Sequence, residues 1–210
     1  MQAYLDNSAT TRPYDQVIRL MASAMETGYG NPSSLHSMGV DGERAVNAAR
    51  KQISSILGCR EDEVIFTSGG TESNNMAILG AAMAGKRWGK KIITAKGEHP
   101  SVLETFKYLE KQGFQAIYID IDRNGLVDLS QLTDALDDRT VLISVMHVNN
   151  EVGTIQPIAE IAKRKRKALF HTDGVQSFGK IGRGRGREAP YGRHGAFRQK
   201  QLLDAFRCDG

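Results

Sequence analysis

Residues 91–119 read KIITAKGEHPSVLETFKYLEKQGFQAIYI, and this stretch decides the fold. Two short apolar runs, Lys91-Ile-Ile-Thr-Ala95 and Gln115-Ala-Ile-Tyr-Ile119, flank a segment with Val102, Thr105, Phe106 and Leu109 on one helical face. That is a strand, a helix and a strand, with the polar loop Gly97-Glu-His-Pro-Ser101 at the first junction. The same alternation extends in both directions. Strands are predicted over residues 63–67, 141–146 and 168–171, and helices over 71–83, 129–136 and 158–166. Thr71 is placed as the cap of the 71–83 helix, with Glu72 in its first turn where the helix dipole favours an acid. Two further helices, over 14–27 and 40–57, precede this region and are separated by a Gly/Asn/Pro/Ser loop. Alternating strands and helices argue for an α/β fold in three layers, a mostly parallel sheet with helices on both faces.

Composition agrees with a globular chain. Of 210 residues, 40% are hydrophobic and 25% charged, and no run of about 18 apolar residues suggests a membrane span. No secretory leader is expected, because residues 1–6 lack a charged start followed by an apolar stretch. The two cysteines, Cys59 and Cys208, form neither a disulfide framework nor a metal cluster, which points to a reducing, cytoplasmic setting and no metal. The net charge of +4 is unevenly placed. Residues 182–210 hold seven basic and three acidic groups, and the other 181 residues hold 21 of each. The excess therefore belongs to a Gly/Arg-rich tail that starts after Ile181, where the strand–helix alternation stops.

In open α/β sheets ligands sit beyond the carboxyl ends of the strands, and here each such end is polar. Thr67-Ser-Gly-Gly-Thr-Glu-Ser73 offers two glycines and a helix N-terminus to an anion, or is a plain strand–turn–helix junction. His99 can stack on a flat ring, or is simply solvated. Asn149 and Asn150 can donate to a ligand oxygen, or form a local turn. Asp173 can pair with a protonated ring nitrogen, or cap a following helix, and Gln176 can reach a ring oxygen. Together the four positions suit a phosphorylated pyridine cofactor. Its phosphate needs a helix N-terminus, and its ring nitrogen needs a carboxylate to make the ring an electron sink.

The motifs Tyr4-Leu-Asp-Asn-Ser-Ala-Thr-Thr11, Gly30-Asn-Pro-Ser-Ser34, Phe66-Thr-Ser-Gly-Gly-Thr-Glu-Ser73, Glu98-His99, Met146-His-Val-Asn-Asn-Glu-Val-Gly153, His171-Thr-Asp173, Gln176-Ser177 and Gly179-Lys-Ile181 run in one order over about 180 residues. On these motifs the chain closely resembles the cysteine desulfurases of the class V aminotransferase group. Those enzymes depend on pyridoxal 5'-phosphate and convert L-cysteine to L-alanine, passing sulfur through a protein persulfide to iron–sulfur clusters or thiolated tRNA.

The resemblance implies roles residue by residue. Gly70 and Thr71 would meet the cofactor phosphate. His99 would stack on the pyridine ring and is also proposed to move protons. Asn150 would face the substrate and the cofactor edge, Asp173 would pair with the ring nitrogen, and Gln176 would donate to the phenolate oxygen. Asn7, Ala9 and Thr10 would line the substrate side. The resemblance further implies the large domain of the aspartate-aminotransferase-like fold, a homodimer, and a sulfur-acceptor or scaffold protein as partner.

The match also sets a boundary. Residues 1–181 fit the N-terminal part of the large domain, and residues 182–210 match no part of the family. The Ser-x-His-Lys stretch whose Lys binds the cofactor covalently has no counterpart here. Lys200 sits in Arg198-Gln-Lys-Gln201, and neither Cys59 nor Cys208 falls at the family's nucleophile. The expectation is a truncated sheet of five strands, a tail read in a shifted frame, and no turnover by these 210 residues alone. Three other readings stand beside it: an inactive fragment, another class V enzyme such as a selenocysteine lyase, and a nucleic-acid binder using the basic tail. The last is disfavoured, because the tail holds only three aromatics and no repeated stacking motif.

Overall fold

The computed structural model describes residues 3–181, so the tail with Lys200 and Cys208 lies outside the described residues. The chain forms two compact units, divided between Val64 and Ile65.

The first unit holds two helices, α1 (Asp15–Thr27) and α2 (Ser37–Leu57). Helix α2 starts three residues before the predicted Val40. His36 caps it, accepting from the Gly39 N–H, and Gly58 ends it in the left-handed conformation with φ 69°. The 30–34 loop packs hard against its first turns. A Cβ at Gly39 would lie 2.2 Å from the Ser34 carbonyl oxygen, so only glycine fits there. Helix α1 buries none of its residues within this unit.

The second unit contains α3 (Gly70–Gly85), β1 (Lys91–Ala95), α4 (Pro100–Lys111), β2 (Gln115–Ile119), α5 (Leu129–Ala135), β3 (Thr140–Ser144), α6 (Ile158–Arg164) and β4 (Leu169–His171). The four strands pair in the order β2-β1-β3-β4, all parallel. Side chains alternate across the sheet, and each face has its own core. On one face Ile92 and Leu142 pack with Ile78, Ala81 and Ala82 of α3 and with Val102, Phe106 and Leu109 of α4. On the other, Ile93, Ile143 and Phe170 pack with Leu132 of α5 and with Ile158 and Ile161 of α6. The layers are therefore α3/α4, sheet, α5/α6, the arrangement expected from sequence. Among the described residues no helix is long and apolar enough to cross a membrane.

Three expectations need correction. Residues 63–67 do not form a strand. Glu61–Glu63 make a 3-10 turn, in which the Glu63 carboxylate accepts from the Arg60 N–H at 2.8 Å. The chain then runs extended outside the four-stranded sheet, with Ile65 and Phe66 about half exposed. An apolar run becomes a strand only where a neighbouring ladder takes up its backbone groups. The described sheet thus has four strands instead of five. Next, Thr71 does not cap α3. The cap position is Gly69, and Glu72 folds back so that its carboxylate accepts from both the N–H and the hydroxyl of Ser68 at 2.6 Å. Finally, the helix predicted over residues 158–166 is two residues shorter. The α6 helix stops at Arg164, whose guanidinium meets Glu160 at 2.5 Å and donates to Thr133 at 2.9 Å, and Arg166 turns left-handed with φ 51°.

Candidate functional site

Parallel pairing brings the polar strand ends into one row. Thr94, Ser144 and His171 lie abreast on β1, β3 and β4, all buried. Thr94 donates to the Ser144 carbonyl at 3.0 Å, and the Ser144 hydroxyl meets His171 Nδ1 at 2.8 Å. Burial pushes His171 down to about 4, against the opposing pull of Asp173, so the ring is neutral at physiological pH. Burial also lowers His147.

Asp173 lies two residues beyond the row. Its backbone carbonyl accepts from the His147 N–H at 2.9 Å. Its Oδ1 accepts from the Val175 N–H at 2.9 Å and its Oδ2 from the Asn74 side-chain amide at 2.8 Å. Residues 175–180 form turns and no helix, so Asp173 is not a helix cap. Asn74 comes from the first turns of α3 and donates a second bond to the Ser101 hydroxyl at 3.0 Å. Ser101 in turn meets His99 Nδ1 at 2.8 Å. His99 caps α4 from the β1–α4 loop.

Glu98 anchors that loop. Its Oε1 accepts from the Met146 N–H at 2.6 Å, while Oε2 is buried with no hydrogen-bond partner. Desolvation is the main reason its carboxyl is raised to about 8. The Met146 N–H opposes the rise and the neighbouring charge of Asp173 adds to it. Glu98 is therefore held protonated at neutral pH.

The two adjacent asparagines separate in the structure. Asn149 is structural: its amide donates to the Gly97 carbonyl at 3.0 Å, and its Oδ1 accepts from the N–H groups of Glu151 and Val152. Asn150 is half-buried at the end of the same loop and reaches only its neighbour, donating to Glu151 at 2.8 Å. Gln176 accepts from Lys180 at 3.1 Å. Gly70 opens α3 against the turn after Asp173, where an added Cβ would lie 2.8 Å from Val175 Cγ2. Thr71 and His99 line one cleft of about 620 Å³ between α3 and α4. The structure thus links His99 to Asp173 through Ser101 and Asn74, sets Gly70 against Val175 and places Thr71 in one cleft with His99, while Asn150 and Gln176 stand on the loops after β3 and β4.

The class-V aminotransferase model matches residues 3–182. The chain belongs to the class-V aminotransferase family. Within that family it is 48% identical over 182 residues to the cysteine desulfurase IscS of Dictyoglomus turgidum, an alignment covering 86% of this chain and 46% of that protein. It is 47% identical over 180 residues to the cysteine desulfurase IscS of Methanosarcina thermophila, covering 85% and 45%. A solved NifS-like protein superposes with a TM-score of 0.80 at 40% identity, over 84% of this chain and 50% of that one. A structure described as SspA in complex with cysteine gives a TM-score of 0.78 at 36% identity, over 84% and 52%. The chain spans about half the length of the relatives it matches.

Asn7, Ala9 and Thr10 fall in the first unit, all exposed, in a local turn. Asn7 donates to the Tyr4 carbonyl at 3.4 Å, and Thr10 meets the Tyr4 hydroxyl at 2.5 Å. Cys59 is half-buried, and burial with the nearby Glu63 raises its thiol above the ordinary value, the opposite of an activated nucleophile. Among the described residues no group of three or more His, Cys, Asp or Glu side chains gathers to hold a metal.

Sequence reading missed Asn74, Ser101 and the protonated state of Glu98. One signal for Asn74 was available. It falls in register with Ile78, Ala81, Ala82 and Gly85 on the buried face of α3, where a polar residue needs a partner.

Proposed function

We propose that this chain carries the cofactor-binding half of a pyridoxal 5'-phosphate-dependent cysteine desulfurase acting on L-cysteine. The observation that carries the reading is Asp173. It is a buried carboxylate fixed by two donors, one on each oxygen, at the strand end beside the α3 N-terminus. The donor set fits the cofactor. Glu72 occupies the Ser68 N–H and hydroxyl, so a phosphate would meet Gly70 and Thr71 at the amino end of α3. Asp173 would hold the protonated ring nitrogen, His99 would lie against the ring, and Asn150 and Gln176 would donate to its oxygens. When bound, the cofactor supplies an electron sink for bond cleavage at the substrate α-carbon.

The chain's own residues do the rest. Asp173 would orient the ring and favour a proton on its nitrogen. Glu98, held neutral, does not compete with Asp173 for that cation. His99, lying against the ring, would move protons there. In this reading Asn7, Ala9 and Thr10 contribute to the substrate side, the protein works in the cytoplasm as a homodimer, and sulfur passes to an acceptor or scaffold protein for cluster assembly or tRNA thiolation. The names of the matched relatives support the activity, and the low cysteine content supports the compartment.

The test is a titration of the 210-residue chain with pyridoxal 5'-phosphate, followed by calorimetry. Binding is expected, with at least about tenfold weakening in Asp173→Ala, since a charge-assisted pair is worth about 1.5–3 kcal/mol. Equal affinity of the parent and Asp173→Ala would remove the basis for the reading.

A further inference from the structure

We propose that Asn74 and Ser101 are positioning residues that join Asp173 to His99 through one chain of hydrogen bonds and hold the His99 ring with its proton on Nε2. The proposal rests on the cofactor reading for why these two ends need joining, but the chain itself is a property of the protein alone.

The directions of the bonds follow from donor arithmetic. The Asp173 carboxylate only accepts, so Asn74 must present its amide nitrogen, at 2.8 Å. That nitrogen has a second hydrogen, and the Ser101 hydroxyl oxygen receives it at 3.0 Å. With its oxygen engaged as an acceptor, the Ser101 hydroxyl turns its own hydrogen to His99 Nδ1 at 2.8 Å. The Ser101 backbone N–H points at the same nitrogen at 3.1 Å. Two donors on Nδ1 leave no room for a proton there, so the ring carries it on Nε2.

The residues are suited to transmission. Asn74, Ser101 and Asp173 are each at least nine-tenths buried, with relative exposures of 4%, 9% and 8%, so water does not readily substitute for a missing link. An N-cap alone would need only the backbone bond from Ser101. The side-chain link through Asn74 to an acid on another strand end adds nothing to capping. Its effect is to make the orientation of the Ser101 hydroxyl depend on what stands at position 173. If Asp173 becomes an amide, it can donate, Asn74 can rotate to present its oxygen, and the Ser101 hydroxyl turns away from His99.

The experiment is a coupling measurement on the cofactor-free 210-residue chain, using the ring-nitrogen resonances of His99. In the parent, a single ring form with hydrogen on Nε2 is expected. Asp173→Asn should shift the His99 Nδ1 resonance, and the shift should be at least about threefold smaller when Ser101→Ala or Asn74→Leu is already present. Ser101→Thr, which restores a hydroxyl, should restore the response. Ser101→Ala removes one hydroxyl and keeps the backbone bond, so it carries the test even if Asn74→Leu does not fold. An equal response to Asp173→Asn in the parent and in Ser101→Ala overturns the proposal, as does a His99 protonated on Nδ1. Pyridoxal 5'-phosphate affinity is read separately. If it is insensitive to Asp173 while the His99 coupling holds, the cofactor reading fails and the chain of bonds stands.

Discussion

Replacing Glu98 with Gln tests the electrostatics of this edge most directly. The folded carboxyl titrates near 8 against an ordinary value of 4.5. Between those values the folded protein holds a proton that the unfolded chain has released, so folding takes one up and stability falls as pH rises. Each pH unit is worth about 1.4 kcal/mol, and the whole window is worth on the order of 4–5 kcal/mol. Below 4.5 both states are protonated, and the contribution is fully present. Above about 8 both are ionised, and it is lost. His171 works in the other direction. Its folded value of about 4 lies below the ordinary 6.5, so the unfolded chain binds the extra proton and stability rises with pH between them. The two slopes offset each other where the windows overlap, and the net decline should appear above about pH 6.5.

Glu98→Gln isolates the acid. The Gln side-chain oxygen can accept the Met146 N–H as Glu98 Oε1 does at 2.6 Å, without a charge to desolvate. Urea unfolding followed by circular dichroism should place the variant within about 1 kcal/mol of the parent at pH 5. At pH 8.5 the variant should be the more stable by several kcal/mol, on the order of the linkage above. A difference between the two proteins that stays constant from pH 5 to 8.5 would refute the assignment of Glu98 as the protonated acid.

Other outcomes follow from packing and chemistry. Phe106→Ala empties a fully buried site on the α4 face of the sheet and should destabilise the protein by about 3–5 kcal/mol in the same urea assay. Gly70→Ala should lower both stability and cofactor affinity, because its Cβ meets Val175 at 2.8 Å, and adding Val175→Ala should restore most of the loss. In a Cys208→Ser background, Cys59 should alkylate more slowly at pH 7 than free cysteine, as its raised thiol requires. The 210-residue chain, with no Ser-x-His-Lys stretch, should release no sulfide from L-cysteine, and a steady sulfide signal would overturn that expectation.

Much of the fold was readable from local pattern. Lys91–Ala95 and Gln115–Ile119 form strands with the predicted bounds, because each is a short apolar run closed by Gly or Asp and flanked by helix-period sequence. The error at residues 63–67 is of one kind. Glu63-Val-Ile-Phe-Thr67 has strand composition, but a ladder is a property of two segments, and composition reports only one. The site was half readable. Asp173, His99 and Thr71 stand at strand ends or helix starts, where position alone suggests a ligand. Asn74 and Ser101 lie inside helices and look like ordinary polar residues until the fold brings them to Asp173 and His99.

The sequence by itself determined the alternation of strands and helices, the neutral body with its basic tail, and the family motifs with their order. Those are local or compositional properties, set by side-chain periodicity and charge. Tertiary structure alone decided which of two adjacent asparagines braces a loop, that the buried Glu98 keeps its proton, and which nitrogen of His99 faces the Ser101 hydroxyl. Each depends on desolvation and on donors supplied from distant parts of the chain. Asn74 reaches Asp173 across 99 positions, and Glu98 reaches Met146 across 48.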